Sequence, residues 1–184
     1  MEARGLPEEE AIRYLALDLG TSRTGYAVAD WGDDLNGFEK VSQGVVESKH
    51  PDRMERVVEI ADTIHRIVSD QGVGEVAIEE YGWAAEGGQQ AMGEVRGAVC
   101  YVLKMQGVPY RTIPISTWKR LVLGKGSLPK DSVKLEFFRQ YGIEASQDEL
   151  DAVGVLMAAW MQWKGLDAKP KKVRRPAKSV MEGF

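Results

Sequence analysis

The stretch YLALDLGTSRTGYAVAD, residues 14–30, sets a carboxylate, Asp18, at the end of an apolar run and directly before a glycine-bounded turn. Ionised side chains are rarely fully buried unless something compensates them. Residues 14–19 read as a short strand, GTSRTG as a turn, and 25–30 as a second strand of alternating character. Asp18 therefore falls at a strand end, half inside the fold. A lone Asp at such a place is more often a turn former bonding its own backbone. Reading it as chemistry requires other acids to meet it.

The neighbouring segments extend the pattern. A third strand is predicted at 41–47, linked to the second by DWGDDLNGFEK, whose Gly and Asn suit a hairpin loop. A helix follows over 52–70, with Met54, Val57, Val58, Ala61, Ile64 and Val68 on one face, and the glycines of DQGVGE stop it. EVAIEE, 75–80, is a fourth strand. A second long helix over 88–106 carries Met92, Val95, Ala98, Val99, Val102 and Leu103, and GVPYRTIP contains a fifth strand. Helices at 116–123, 129–141 and 147–163 complete the chain. The order βββαβαβ, then helices, predicts an α/β protein. Three strands joined by short links form an antiparallel meander, and strands reached through helices add in parallel, so the five-stranded sheet is mixed.

The 184 residues, 43% of them hydrophobic, suffice for one domain with a full core and some tail. We divide them into an N-terminal extension (1–12), a folded domain (13–165) and a flexible basic tail (166–184). The single cysteine, Cys100, excludes an internal disulfide or a Cys-rich zinc module and reads as a helix core residue. His50 and His65 have no partner at metal-ligand spacing. The start, MEARGLPEEEAIR, is acidic and unlike a signal peptide, and no window approaches a membrane span. The sequence thus predicts a cytoplasmic protein, of a bacterial or phage-infected cell, with no membrane partner. A net charge of −4 gives no hint of nucleic acid, but its distribution does. The tail gathers Lys169, Lys171, Lys172, Arg174, Arg175 and Lys178, which favours a polyanion contact over a merely solubilising end.

Two more acidic features accompany Asp18. The strand EVAIEE ends in Glu79 and Glu80, which face opposite sides, so that one can enter a site while the other points away. In SQDELD, Ser146 and Glu149 have the spacing of a capping box, and Asp148 and Asp151 share one face of the first helical turn. The helix dipole alone favours acids there. Leu150, Val153, Met157 and Met161, however, predict a well-buried helix, where a solvated decoration is out of place. If these acids converge, mutual repulsion raises their pKa values, and a cation reverses that. Oxygen ligands without His or Cys suit Mg²⁺ or Mn²⁺. Two such ions about 3.5–4 Å apart clamp the attacking and leaving oxygens of a phosphodiester. Acids in this order on a βββαβαβ scaffold are the pattern of the RNase H-like nucleases.

Over residues 13–163 the sequence resembles the RuvC family of Holliday junction resolvases. LALDLGTSRTGYAV is similar to the family's first motif, VAIEE to its second, and MGEVRGAV to the Gly-x-x-Arg-Gly helix that follows. TWKRLVLGKGSLPKDSV resembles its basic segment and DELDAVGVLMAAW its closing acidic helix. The resemblance implies that Asp18, Glu79, Asp148 and Asp151 bind metal, two Mg²⁺ ions per site with Mn²⁺ as a substitute. It implies that Lys119 and Lys130 are the family's important lysines, Lys119 among the catalytic groups. It also implies a two-fold homodimer that cuts two like-oriented strands of a four-way DNA junction. The helix at 88–106 would build the dimer interface, through Ala91, Val95, Ala98 and Val102, with Gly97 allowing close approach. Where bacterial members carry a Phe soon after the second acid, this chain has YGWAAEGG, so Tyr81 or Trp83 takes the stacking role. The basic tail is an addition to the family's pattern, and compact, divergent members of this kind often come from phages.

Residues 104–134 suit DNA on physical grounds as well. Lys104, Arg111, Lys119, Arg120, Lys125, Lys130 and Lys134 occur there with Asp131 as the sole acid, and Gly124 and Gly126 would let backbone approach phosphate. Arg23, in the turn after Asp18, joins this DNA-binding set. The alternatives are an RNase H-like nuclease acting on flaps, forks or structured RNA, an inactive junction-binding protein, and a fragment of an actin-like ATPase. The last needs a second such domain and a second phosphate motif, and neither is found in the sequence.

Overall fold

The computed structural model describes residues 12–30, 41–80 and 88–166. Within them, β1 (Arg13–Asp18), β2 (Arg23–Asp30) and β3 (Ser42–Glu47) precede α1 (Arg53–Gln71), β4 (Glu75–Glu80), α2 (Gln89–Met105) and β5 (Tyr110–Pro114). Helices α3 (Ile115–Leu123), α4 (Lys130–Tyr141) and α5 (Gln147–Trp163) close the order. The βββαβαβ order and the mixed five-stranded sheet are as the sequence predicts. Of the predicted extension and tail only Ile12 and Leu166 are described, and both are exposed. The link between β2 and β3, residues 31–40, lies outside the described residues.

The sheet runs β3-β2-β1-β4-β5. β2 is antiparallel to both its neighbours, while β1, β4 and β5 are parallel. Because side chains alternate along a strand, β1 sends Tyr14 and Ala16 to one face and Leu15 and Leu17 to the other. The first face packs on α3, α4 and α5, and the second on α1 and α2. The strands put mostly small residues beneath α5, among them Ala16, Ala27, Ala29 and Ala77. That lets a helix buried from Leu150 to Trp160, apart from Asp151, lie close to the sheet. Gly25 marks the tightest approach: a Cβ there would stand 1.9 Å from the Asp148 carbonyl oxygen, so any other residue would push the start of α5 away.

Local signals explain the helix ends. The Asp52 side chain caps α1 by accepting from the Met54 and Glu55 amides, and Gly72, at φ 65°, ends it in the left-handed conformation glycine favours. α5 begins with the full Ser146–Glu149 capping box.

Several expectations need correction. On α1 the inward strip is Val57, Ile60, Ala61, Ile64 and Val68, whereas Met54 and Val58 are exposed. Ile60 sits between Val57 and Ala61 on the i, i+3, i+4 ridge, Val58 falls outside it, and Met54 stands in the first turn at the end of that ridge. Cys100 is half-buried at the edge of the α1–α2 cluster. Val95 cannot serve a dimer interface, because it is 1% exposed and packs with Val99 and Leu103 in the chain's own core. Arg111 bonds Glu75 at the opposite end of β4 from Glu79, so it belongs to a structural ion pair rather than to the basic face. Gly124 serves as the left-handed cap of α3, and Gly126 packs against the Ser116 carbonyl, so both have structural duties. No helix of the described residues is long and apolar enough to cross a membrane.

Candidate functional site

Strand parity places the first two acids. Tyr14, Ala16 and Asp18 share a face, as do Ala77 and Glu79, and the α5 cluster holds Tyr14, Ala16 and Ala77. The parallel register pairs Leu17 with Ile78, so Asp18 and Glu79 come side by side one residue further on. Glu80, on the other face, is exposed. The N-terminus of α5 adds Asp148 and Asp151 above them.

The four acids act on one another. Burial pushes the Asp18 carboxyl up to about 7, with Asp151 and Asp148 adding to the rise and Lys130 opposing it. Burial pushes Glu79 up to about 8, helped by Asp18 and Asp151 and opposed by the Trp118 hydrogen bond and Lys119. Asp151 is also raised, chiefly by burial, against a hydrogen bond from Gln147 and the charges of Lys119 and Lys130. Desolvation together with like charges at one strand-end cluster marks a site shaped for something other than stability.

Each of three acids accepts a hydrogen bond from a neighbour. Arg23 Nε donates to Asp148 Oδ2 at 2.9 Å, and its NH1 lies 3.6 Å from Glu47. Trp118 Nε1 donates to Glu79 Oε2 at 2.8 Å, and Gln147 Nε2 to Asp151 Oδ1 at 2.8 Å. Lys119 Nζ donates to the Leu128 carbonyl at 3.1 Å and lies 5.5 Å from the centre of the Trp118 ring. Arg96 reaches from α2 to the Glu79 carbonyl and the Thr112 hydroxyl.

Asp18, Glu79, Asp148, Asp151, Lys119, Lys130 and Arg23 therefore meet at one end of the sheet. Arg120, Lys125 and Lys134 are exposed on α3, the α3–α4 turn and α4. Tyr81 and Trp83 lie outside the described residues. Two contacts escape sequence reasoning. The Trp118 and Gln147 side chains bond acids, but Trp118 looks like any apolar residue of α3, and its partner is 39 positions away.

As a donor set, these oxygens fit a hard divalent cation. No His or Cys is among them, they are half-buried, and Asp18, Glu79 and Asp151 are set against one another until a positive charge arrives. Among the described residues no three such side chains already form a cage. Arg23, Trp118 and Gln147 each hold one carboxylate oxygen instead.

The family model for crossover junction endodeoxyribonuclease RuvC matches residues 14–160. The crossover junction endodeoxyribonuclease RuvC of Synechocystis sp. is 30% identical over 158 residues, covering 82% of this chain and 92% of the relative. Among solved structures, Thermus thermophilus RuvC superposes with a TM-score of 0.67 at 20% identity, over 84% of this chain and 97% of the other. T. thermophilus RuvC in complex with Holliday junction substrate gives 0.65 at 18%, over 84% and 96%. All four proposed acids and both lysines lie inside the matched span, and with that match covering most of its length the chain belongs to the RuvC family of crossover junction endodeoxyribonucleases.

Proposed function

We propose that this chain resolves four-way DNA junctions by hydrolysing one phosphodiester bond in each of two like-oriented strands. The observation that supports this most is the meeting of Asp18, Glu79 and Asp151 at adjacent strand ends and a helix start, within the span matched by the family. The chemistry needs a divalent ion, and Mg²⁺, with Mn²⁺ as a substitute and two ions per site, would supply charge for the phosphoryl oxygens and an activated water. Asp18, Glu79, Asp148 and Asp151 would hold these ions.

Lys119 and Lys130 stand beside the acids and bring positive charge to where a phosphate would lie. Lys119 is steadied by the Leu128 carbonyl and the Trp118 ring, so its ammonium has a defined place at low entropic cost. Arg23, Arg120, Lys125 and Lys134 would contact backbone phosphates, which position the substrate without reading its sequence. Tyr81 or Trp83 would stack on a base near the junction centre. The basic tail would add further phosphate contacts.

Paired cuts ask for a second copy of the site. On α2, Gly93 and Gly97 are exposed, and a Cβ at either would meet nothing within 4 Å. Each costs about 1 kcal/mol against alanine in a helix interior, and among the described residues nothing packs closely enough to require either. A partner helix lying close along Gly93 and Gly97 would supply that contact; Ala91, Ala98 and Val102 form a separate strip around α2, with Ala98 packed against the α1–α2 cluster. The reading is tested by incubating the protein with labelled four-way junctions, forks, flaps, duplex, single strands and structured RNA in Mg²⁺ or Mn²⁺. Symmetric cuts confined to junctions are expected. Preferred cleavage of forks, flaps or RNA would replace the substrate but keep the nuclease.

A further inference from the structure

Trp118 is fully buried, yet its one polar atom points at an acid of the site. Its ring lies on Gly154 of α5: a Cβ there would stand 2.5 Å from the ring carbon Cε3 and 2.7 Å from Cζ3. Gly154 is three residues after Asp151, so both lie on one face of α5, a turn apart. The ring thus fills the space between the helix that carries Asp148 and Asp151 and the strand end that carries Glu79. Phe137 of α4 backs it at 6.4 Å between ring centres. The ring has little room to move, and so the direction of its N–H is set by packing rather than by Glu79.

We propose that Trp118 is a positioning residue for the metal site: its indole N–H fixes the Glu79 carboxylate through Oε2, and its ring sets the spacing between Glu79 and the acids of α5. This rests on Glu79 being a metal ligand. A carboxylate held by one oxygen offers its other oxygen to a cation. That suits a small octahedral ion that takes single oxygens better than calcium, which accepts both oxygens of a carboxylate. Groups that orient a ligand in this way typically change metal affinity 10–100-fold when lost.

The test is Mn²⁺ binding by calorimetry to wild-type protein and to Trp118→Phe, which keeps a ring on Gly154 and loses the N–H. Metal-free junction binding and the melting temperature report on the fold. The expected result is a 10-fold or greater loss of Mn²⁺ affinity in Trp118→Phe, with a smaller loss for Ca²⁺ and unchanged junction binding without metal. Equal Mn²⁺ affinity in the two proteins would overturn the role of Trp118 and leave Glu79 as a ligand. Wild-type protein that binds no Mn²⁺ would overturn the ligand reading itself, and the inference with it. Should Trp118→Phe not fold, the indole ¹⁵N–¹H resonance of Trp118 in the full-length wild type decides. It is expected downfield of exposed indoles and shifted by Glu79→Gln. A resonance that Glu79→Gln leaves in place would contradict the proposal.

Discussion

Arg23 of β2 and Asp148 of α5, 125 positions apart in the chain, meet at 2.9 Å between Nε and Oδ2. The approach depends on Gly25, two residues along β2, where a side chain would strike the Asp148 backbone. The turn after the first acid is thereby joined to the helix carrying the last two. The arginine is half-exposed, and an exposed ion pair contributes little stability. A cation drawn to Asp148 would release the guanidinium toward a phosphate. Arg23→Gln is therefore expected to leave the melting temperature close to that of wild type while weakening junction binding. The slope of log affinity against log salt should fall by about one, the signature of one lost phosphate contact. Affinity titrations at several salt concentrations measure this.

The raised carboxyls make the metal-free protein sensitive to pH in a defined sense. Asp18 and Glu79 titrate near 7 and 8 in the folded chain, well above their unfolded values near 4. A folded state that binds more protons than the unfolded one loses stability as pH rises. Their contribution is thus complete below about pH 4 and disappears as pH climbs through about 7 and 8. In chelator, the melting temperature should fall between pH 6 and pH 9, and Mg²⁺ at the upper end should restore it. Asp18→Asn should flatten the fall, abolish cleavage and leave junction binding intact. A melting temperature that rises across this range in chelator would refute the assignment of repelling, buried acids.

Much of this site is legible in the sequence because it depends on local rules. An acid ending an apolar strand, twice, and an i, i+3 acid pair behind a capping box are visible without coordinates. Strand parity then decides between Glu79 and Glu80, since Ala77 and Glu79 must share a face. Contacts set by tertiary packing are not legible. Helix α2 is apolar on more than one side, and its sequence does not say that Val95 turns to the sheet while Gly93 and Gly97 turn outward. Arg111 looks like one more cation of a basic segment until β5 sets it beside Glu75. Trp118 is hidden for the same reason, because its partner depends on how α3 crosses β4.

The two sides of α2 give separable outcomes. Val95→Asp puts a charge into a fully packed core and should cost at least ~3 kcal/mol, giving unfolded or aggregated protein. Gly97→Leu, on the outward side, should keep the fold and yield monomers by analytical ultracentrifugation. A Gly97→Leu protein that sediments as wild-type dimer would place the interface elsewhere.

Lys119 and the basic tail should differ in kind. Lys119→Ala removes the ammonium beside Glu79 and Asp151 and is expected to lower kcat by 10-fold or more with little change in affinity. Removing residues 168–184 should weaken binding to every DNA and flatten its salt dependence, with the rate on bound junction near normal. Single-turnover cleavage at saturating protein separates the two. Equal loss of single-turnover rate in both would put Lys119 among general phosphate contacts.

The central claim, two coordinated cuts across one junction, is tested most directly by a supercoiled plasmid that extrudes a cruciform. Two cuts within the lifetime of one complex convert it to linear DNA, whereas independent single cuts release open circles that accumulate first. The account predicts linear product from the earliest times with Mg²⁺, and open circles from Gly97→Leu. Open circles as the sole early product of the wild-type protein would contradict junction resolution, though not metal-dependent strand cleavage.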